Sequence, residues 1–137
     1  VPMWLMNTGY VGGDAKAVKN GTALKVKIRH SSAMLEALLS EGIIWVRDPD
    51  FGYEVVDVDH PENAALLAKV PREILQPKHW FSAHNRLSDY RRWVSNMQNA
   101  RRAFLTDWDV GDAIVAEVCG AATRTAQDSS EANPAPA

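Results

Sequence analysis

The spacing of apolar and polar positions changes several times along the chain, and each change predicts an element. Met3 to Asn7 (MWLMN) is a short apolar run and predicts a buried strand. Residues 8–23 contain Gly9, Gly12, Gly13 and Gly21 and predict a loop. Lys25 to Arg29 (KVKIR) alternates, with Val26 and Ile28 on one side and the basic residues on the other, as in a half-buried strand. Ser31 or Ser32 is placed to cap a helix running to about Ser40, because a serine hydroxyl satisfies a first-turn amide. Met34, Leu35, Leu38 and Leu39 form its apolar stripe, and Gly42 suits its end. Ile43 to Val46 reads as extended, and residues 47–63, with Asp48-Pro49, Phe51-Gly52 and His60-Pro61, read as loop. Pro71 opens a helical turn over Arg72 to Leu75 that Pro77 ends.

The longest helix is expected from about Ser88 to Trp108. Tyr90, Trp93, Met97, Ala100, Phe104 and Trp108 recur there at spacings of three and four and mark its buried face. Asp112 to Val118 adds a short helix with Gly120 as its stop. Residues 121–137 are Ala, Ser, Thr, Asn and Pro in the main. They bury too little apolar surface to offset the entropy of ordering, so a disordered tail is expected. The predicted fold class is mixed α/β (α+β), with a few short strands and two main helices, in one domain over residues 1–120.

Composition narrows the function classes. A chain of 137 residues supports one modest core. Its net charge of −2 gives no global field for nucleic acid or an acidic membrane. The pairs Arg91-Arg92 and Arg101-Arg102 are flanked by Asp89 and Asp107 and read as solvated helix faces. Cys119 is the only cysteine, so no intrachain disulfide forms, and a reducing, intracellular compartment (cytoplasm or mitochondrion) is expected. No signal peptide or membrane-spanning run is visible, so no membrane insertion is expected. The chain begins at Val1, and an upstream segment is therefore expected. Five tryptophans are many for this length. They are either large core pieces or anchors at a protein interface, where tryptophan is enriched.

The candidate chemistry is incomplete. A Walker-type phosphate loop needs Gly-Lys-Ser/Thr after its glycines, but Asp14 follows Gly13, and G-x-G-x-x-G is not matched either. The glycine stretch therefore reads as a turn. His79 and His84 are badly spaced for a metal, and His30 and His60 have no cysteine pair to help them. Asp57-x-Asp59-His60 has the donor types for a cation, against a reading as a solvated loop. No serine lies in a nucleophile-elbow pattern, and Cys119 reads as a small buried apolar residue. No catalytic and no metal-binding residues are assigned.

The order of several short motifs is nevertheless informative. Trp4-Leu5-Met6-Asn7-Thr8-Gly9-Tyr10 precedes Gly12-Gly13, and the basic stretch Lys25 to Arg29 leads through His30-Ser31-Ser32 into Ala33 to Leu39. Asp48-Pro49-Asp50-Phe51-Gly52 follows, and then Val70-Pro71-Arg72-Glu73-Ile74-Leu75-Gln76-Pro77 with Trp80. In this order the motifs, over about residues 4–120, resemble the C-terminal portion of ATP-dependent phosphoenolpyruvate carboxykinase. The resemblance implies part of that family's nucleotide-binding C-terminal domain, in which the basic strand and the following helix start contact the adenine end of ATP. On this correspondence Lys25 stands where the family has arginine and Ser31 where it has threonine. The loop over Asp14 to Asn20 is longer than the family's, and Tyr10 replaces a tryptophan.

Two functions follow from the resemblance. One is a non-catalytic structural or interaction subunit within a larger assembly, with other protein subunits as partners, a vestigial ATP site and no cofactor in isolation. The alternative is the C-terminal part of an active or split carboxykinase. That enzyme converts oxaloacetate and ATP to phosphoenolpyruvate, ADP and CO2 with Mg or Mn, a step of gluconeogenesis. Its phosphate loop, metal ligands and substrate-binding basic residues belong to an upstream part of the family's chain, and phosphoryl transfer rests on positioning by such groups. A small binding module of another kind is the third reading.

Overall fold

A computed structural model of the chain describes residues 2–119. The tail over 121–137 and the stop at Gly120 lie outside the described residues. The class is mixed α/β, with short helices and two two-stranded sheets. In chain order the elements are β1 (Tyr10–Val11), α1 (Ala15–Lys19), β2 (Leu24–Lys25), α2 (Ile28–Leu39), β3 (Trp45–Arg47) and β4 (Glu54–Val56). A 3-10 turn (Pro61–Asn63), α3 (Ala64–Leu67), α4 (Arg72–Leu75), α5 (Lys78–Ala83) and α6 (Leu87–Asp107) follow, and residues 112–119 are helical. β1 pairs antiparallel with β2, Tyr10 opposite Lys25 and Val11 opposite Leu24, and β3 pairs with β4. The described residues divide into two compact units, 2–46 with Glu54–Leu87, and Arg47–Tyr53 with 88–119.

The first unit holds one core. Val11, Val26, Ala33, Val56, Leu66, Val70 and Ile74 are buried together, with Met34, Ala37, Trp45 and Trp80 among the side chains packed against them. Asn63 fastens the polar backbone beside that core. Its Oδ1 accepts from the Ile44 amide at 3.0 Å, and its Nδ2 donates to the carbonyls of Ile44 at 2.8 Å and Asp57 at 2.7 Å. One buried amide thus serves three backbone groups, the Ile44 carbonyl being shared with the Asp57 amide at 3.0 Å.

Helix α2 departs from expectation at its start and on its buried face. It begins at Ile28, so the alternating stretch stops being a strand after Lys25, and Ile28 is 87% exposed instead of facing inward. Neither Ser31 nor Ser32 caps it. The cap is His30, whose Nδ1 accepts from the Lys27 amide at 3.2 Å, the reverse-reaching half of a capping box. The buried face runs through His30, Ala33, Met34 and Ala37, and Leu35 and Leu39 are exposed. Starting four or five residues earlier brings His30 into this i, i+3, i+4, i+7 set under the core, and the larger leucines lose the competition for it.

Two loop assignments also gain structure. Residues 8–23 contain β1 and α1, and residues 47–63 contain β4 and the 3-10 turn. Met3 to Asn7 forms no strand, and Leu5 is wholly exposed, because β2 gives way to α2 before it can pair with this run. The turn over Arg72–Leu75, the long helix α6 and the helix at 112–119 lie where they were expected.

In the second unit, α6 is held to residues 47–53 through Asp50. Tyr90 Oη donates to Asp50 Oδ2 at 2.9 Å, and Gln98 Nε2 donates to the Asp50 carbonyl at 2.6 Å. Asp48 Oδ1 accepts from the amides of Asp50 and Phe51 and sets the turn that presents Asp50. Burial, and then the bond to the Asp50 carboxylate, push the Tyr90 hydroxyl far above its ordinary range. Of the expected α6 stripe only Tyr90 is buried. Trp93, Met97, Phe104 and Trp108 are exposed, since residues 47–53 cover the side of α6 that carries Tyr90 and Gln98 and leave the Trp93–Phe104 side open.

Two outcomes follow for stability. Asn63→Ala leaves the half-buried Ile44 amide unpaired and is expected to cost about 1–3 kcal/mol in a denaturant titration. Asn63→Asp is expected to cost more at pH 7, because a carboxylate would face the two carbonyls that Nδ2 now serves. Burial first, and the charges of Arg29 and Lys27 next, hold His30 below its ordinary 6.5. The unfolded chain then binds the proton more readily than the folded one. Stability is full above pH 6.5 and is expected to fall as pH drops from there toward the folded-state value. His30→Gln keeps an acceptor for the Lys27 amide without the titration, and its urea midpoint is expected to fall less between pH 7 and pH 5.

Candidate functional site

The glycine-rich turn and the β2–α2 junction, both in the first unit, are the places where sequence and resemblance put candidate chemistry. The turn is built by short-range bonds. Asn7 Oδ1 accepts from the Gly9 amide at 2.8 Å, and Asn7 Nδ2 donates to the Tyr10 carbonyl at 3.0 Å. Gly12 has φ +86°, open to glycine and costly for other residues. A Cβ there would overlap the Trp80 indole, and one on Gly13 would lie 2.6 Å from the Ala17 Cβ. Asp14, whose charge would repel phosphate, serves the fold instead. Its Oδ1 accepts from the Ala17 amide at 2.8 Å and caps α1.

The far side of the turn is closed by α5 and the residues after it. Arg86 Nη1 donates to the carbonyls of Gly12 at 3.1 Å and Thr22 at 3.0 Å, and Trp80 Nε1 reaches the Thr22 carbonyl at 3.4 Å. The Arg86 guanidinium also lies over the Phe81 ring, 5.1 Å from its centroid. A phosphate cradle needs convergent amide donors with open space before them. Here carbonyl oxygens converge on a guanidinium, and the indole fills the space beside Gly12. The turn does not fit a phosphate group. Nothing in the local sequence points to Arg86, which lies 74 residues from Gly12.

Lys25 is exposed on β2 opposite Tyr10, and Ser31 is half-buried in the first turn of α2. They lie on either side of buried Val26 and are not bonded to each other. The charge around them is positive. Lys25, Lys27 and Arg29 are exposed along the junction, and the last two depress the His30 titration. The Lys27 amide at Nδ1 assigns the ring proton to Nε2, so the Arg29 Nε at 3.4 Å makes a contact there and no hydrogen bond. The junction can attract an anion. It holds no nucleophile paired with a base.

The remaining candidates have local partners. Asp57 Oδ1 accepts from the Asp59 amide at 3.0 Å, Asp59 pairs with Arg72 at 3.3 Å, and His60 Nδ1 accepts from the Glu62 amide at 3.3 Å. Among the described residues no three His, Cys, Asp or Glu side chains converge on a metal position. His84 Nδ1 lies 2.8 Å from the Trp80 carbonyl, its ring 4.0 Å from the indole. Cys119 is buried. No helix among the described residues is long and apolar enough to cross a membrane.

Comparison with known proteins gives a partial likeness. Over 67 residues the chain is 39% identical to phosphoenolpyruvate carboxykinase (ATP) from two strains of Cereibacter sphaeroides. The matched stretch is 47% of this chain and 12% of those enzymes. No family model matches the chain, and no solved structure matches it. The likeness makes the chain a partial homologue of the ATP-dependent carboxykinases.

Proposed function

We propose that this chain is a non-catalytic association subunit derived from the C-terminal part of an ATP-dependent phosphoenolpyruvate carboxykinase, and that it works within a larger assembly. The observation that carries this reading is the apolar stripe of α6, where Trp93, Met97 and Phe104 stand exposed along one helix, with Trp108 exposed just past its end. The glycine turn supports it, being occupied by Trp80 and Arg86 where a nucleotide-handling loop would keep amides open. In this reading the compartment is intracellular and reducing, Lys25 and Ser31 are relics of an adenine site, and no nucleic acid or membrane is engaged.

The second reading is the C-terminal part of a working carboxykinase, favoured by the 39% identity over the matched stretch. There Lys25 and Ser31 meet the adenine end of ATP, and Mg or Mn is supplied elsewhere in the enzyme. Lysine in place of arginine gives up the planar fork and its stacking, so adenine contact would be weaker.

The two readings diverge in one experiment on native extract: sizing of the species that carries this chain, with mass-spectrometric identification of what co-migrates. The association reading expects a species well above the 15.1 kDa of the chain, without a carboxykinase phosphate loop in any partner. Co-migration with a chain that carries such a loop and metal ligands would overturn it in favour of the enzyme. Titration with ATP gives the matching check. The first reading expects no saturable binding at millimolar ATP, and the second expects binding that Lys25→Ala weakens about tenfold or more.

A further inference from the structure

Seven asparagines lie along the chain, and Asn20 alone is followed by glycine. The backbone nitrogen of the following residue is the nucleophile that attacks an asparagine side chain, and glycine presents it with no Cβ in the way. Asn20 and Gly21 are both exposed, at the end of α1. A Cβ built on Gly21 would meet nothing within 4 Å, so no neighbour closes off the approach.

The folded turn nevertheless keeps the two groups from reacting. Ring closure needs the Gly21 nitrogen to eclipse Asn20 Cβ about the Cα–C bond. Asn20 has ψ 0°, which sets that nitrogen level with the Asn20 nitrogen instead. The Gly21 amide also donates to the Val18 carbonyl at 3.1 Å. One residue on, Thr22 is fixed at three points. Its amide and Oγ1 donate to the Ala17 carbonyl at 2.9 Å and 3.2 Å, and its own carbonyl accepts from Arg86 Nη1 at 3.0 Å. Rotation about the Asn20 Cα–C bond swings Gly21 and Thr22 out of these contacts, so attack requires local opening of the turn. Opening exposes little apolar surface, because Asn20, Gly21 and Thr22 are already exposed. The charge-assisted bond from Arg86 is the strongest single contact that resists it.

From this geometry we infer that Asn20-Gly21 is a site of spontaneous covalent modification, admitted by opening of the turn between α1 and β2 and restrained by Arg86. The Gly21 nitrogen gives its proton to hydroxide and bonds to Asn20 Cγ. The Cγ–Nδ2 bond breaks, and Nδ2 leaves as ammonia with a proton from water. Water then opens the imide ring at one carbonyl or the other and leaves aspartate or isoaspartate. Either product puts a carboxylate where a neutral amide stood. Isoaspartate also adds a methylene carbon to the backbone, which carries Thr22 out of register with Ala17 and Arg86.

The test is incubation of the full chain in mildly alkaline buffer. Conversion is read by peptide mass spectrometry, with isoaspartate separated from aspartate by chromatography. Asn20 should convert ahead of the six other asparagines. It should convert about tenfold or more faster in the urea-unfolded chain than in the folded one. Arg86→Ala should raise the folded-state rate about tenfold, and Arg86→Lys by less, with the far-UV spectrum of each retained. Hydrogen exchange in the unaltered chain needs no variant: the Gly21 and Thr22 amides should exchange well ahead of the buried Val70 amide, which donates to the Leu66 carbonyl. No conversion at Asn20 in the folded chain would overturn the site. Equal rates in the folded and unfolded chains, or Gly21 and Thr22 amides as protected as Val70, would overturn control by opening of the turn. A folded Arg86→Ala chain that converts no faster would overturn the restraint assigned to Arg86.

Discussion

The Arg86 guanidinium is the contact on which the first unit turns. It donates to the carbonyls of Gly12 and Thr22, at the two ends of the segment that contains α1, and lies against the Phe81 ring. Charge-assisted bonds of this kind are stronger than neutral ones. They fix a glycine turn whose own backbone preferences are loose. Trp80 seals the same turn from one side, and the fit demands glycine at position 12. The polarity of this closure decides what the turn can do. Its carbonyls are engaged by a cation, so it gives an anion no ready seat.

The β2–α2 junction is governed by a related economy of backbone groups. A two-residue strand passes into a twelve-residue helix across Val26 and Lys27. The Lys27 amide would be left without a partner, and the buried His30 ring accepts from it. Neutrality of that ring is therefore a condition of the cap. Burial and the flanking cations both enforce it. The positive field that makes the junction a place for an anion is the same field that keeps the histidine neutral.

Asp48-Pro49-Asp50-Phe51-Gly52 has a clear physical role here. Asp48 shapes the turn, and Asp50 receives Tyr90 and Gln98 from α6. That role secures the first three turns of the long helix on one side and leaves its Trp93–Met97–Phe104 side uncovered.

What the sequence determined by itself is local. Pro71 and Pro77 placed the turn at Arg72–Leu75, and the three-and-four spacing placed α6 within a residue at each end. Fixed proline torsions and helical periodicity act within a few residues and need no distant partner. Tertiary structure decided the start of α2, which face of it is buried, and the fate of Met3 to Asn7. It also decided that Asn63 and Arg86 are structural anchors and that Lys25 and Ser31 stand apart. Those outcomes depend on which apolar groups win a place in a shared core and which backbone groups lack a partner, 19 residues away for Asn63 and 74 for Arg86. Competition of that range leaves no mark in the spacing of neighbouring residues.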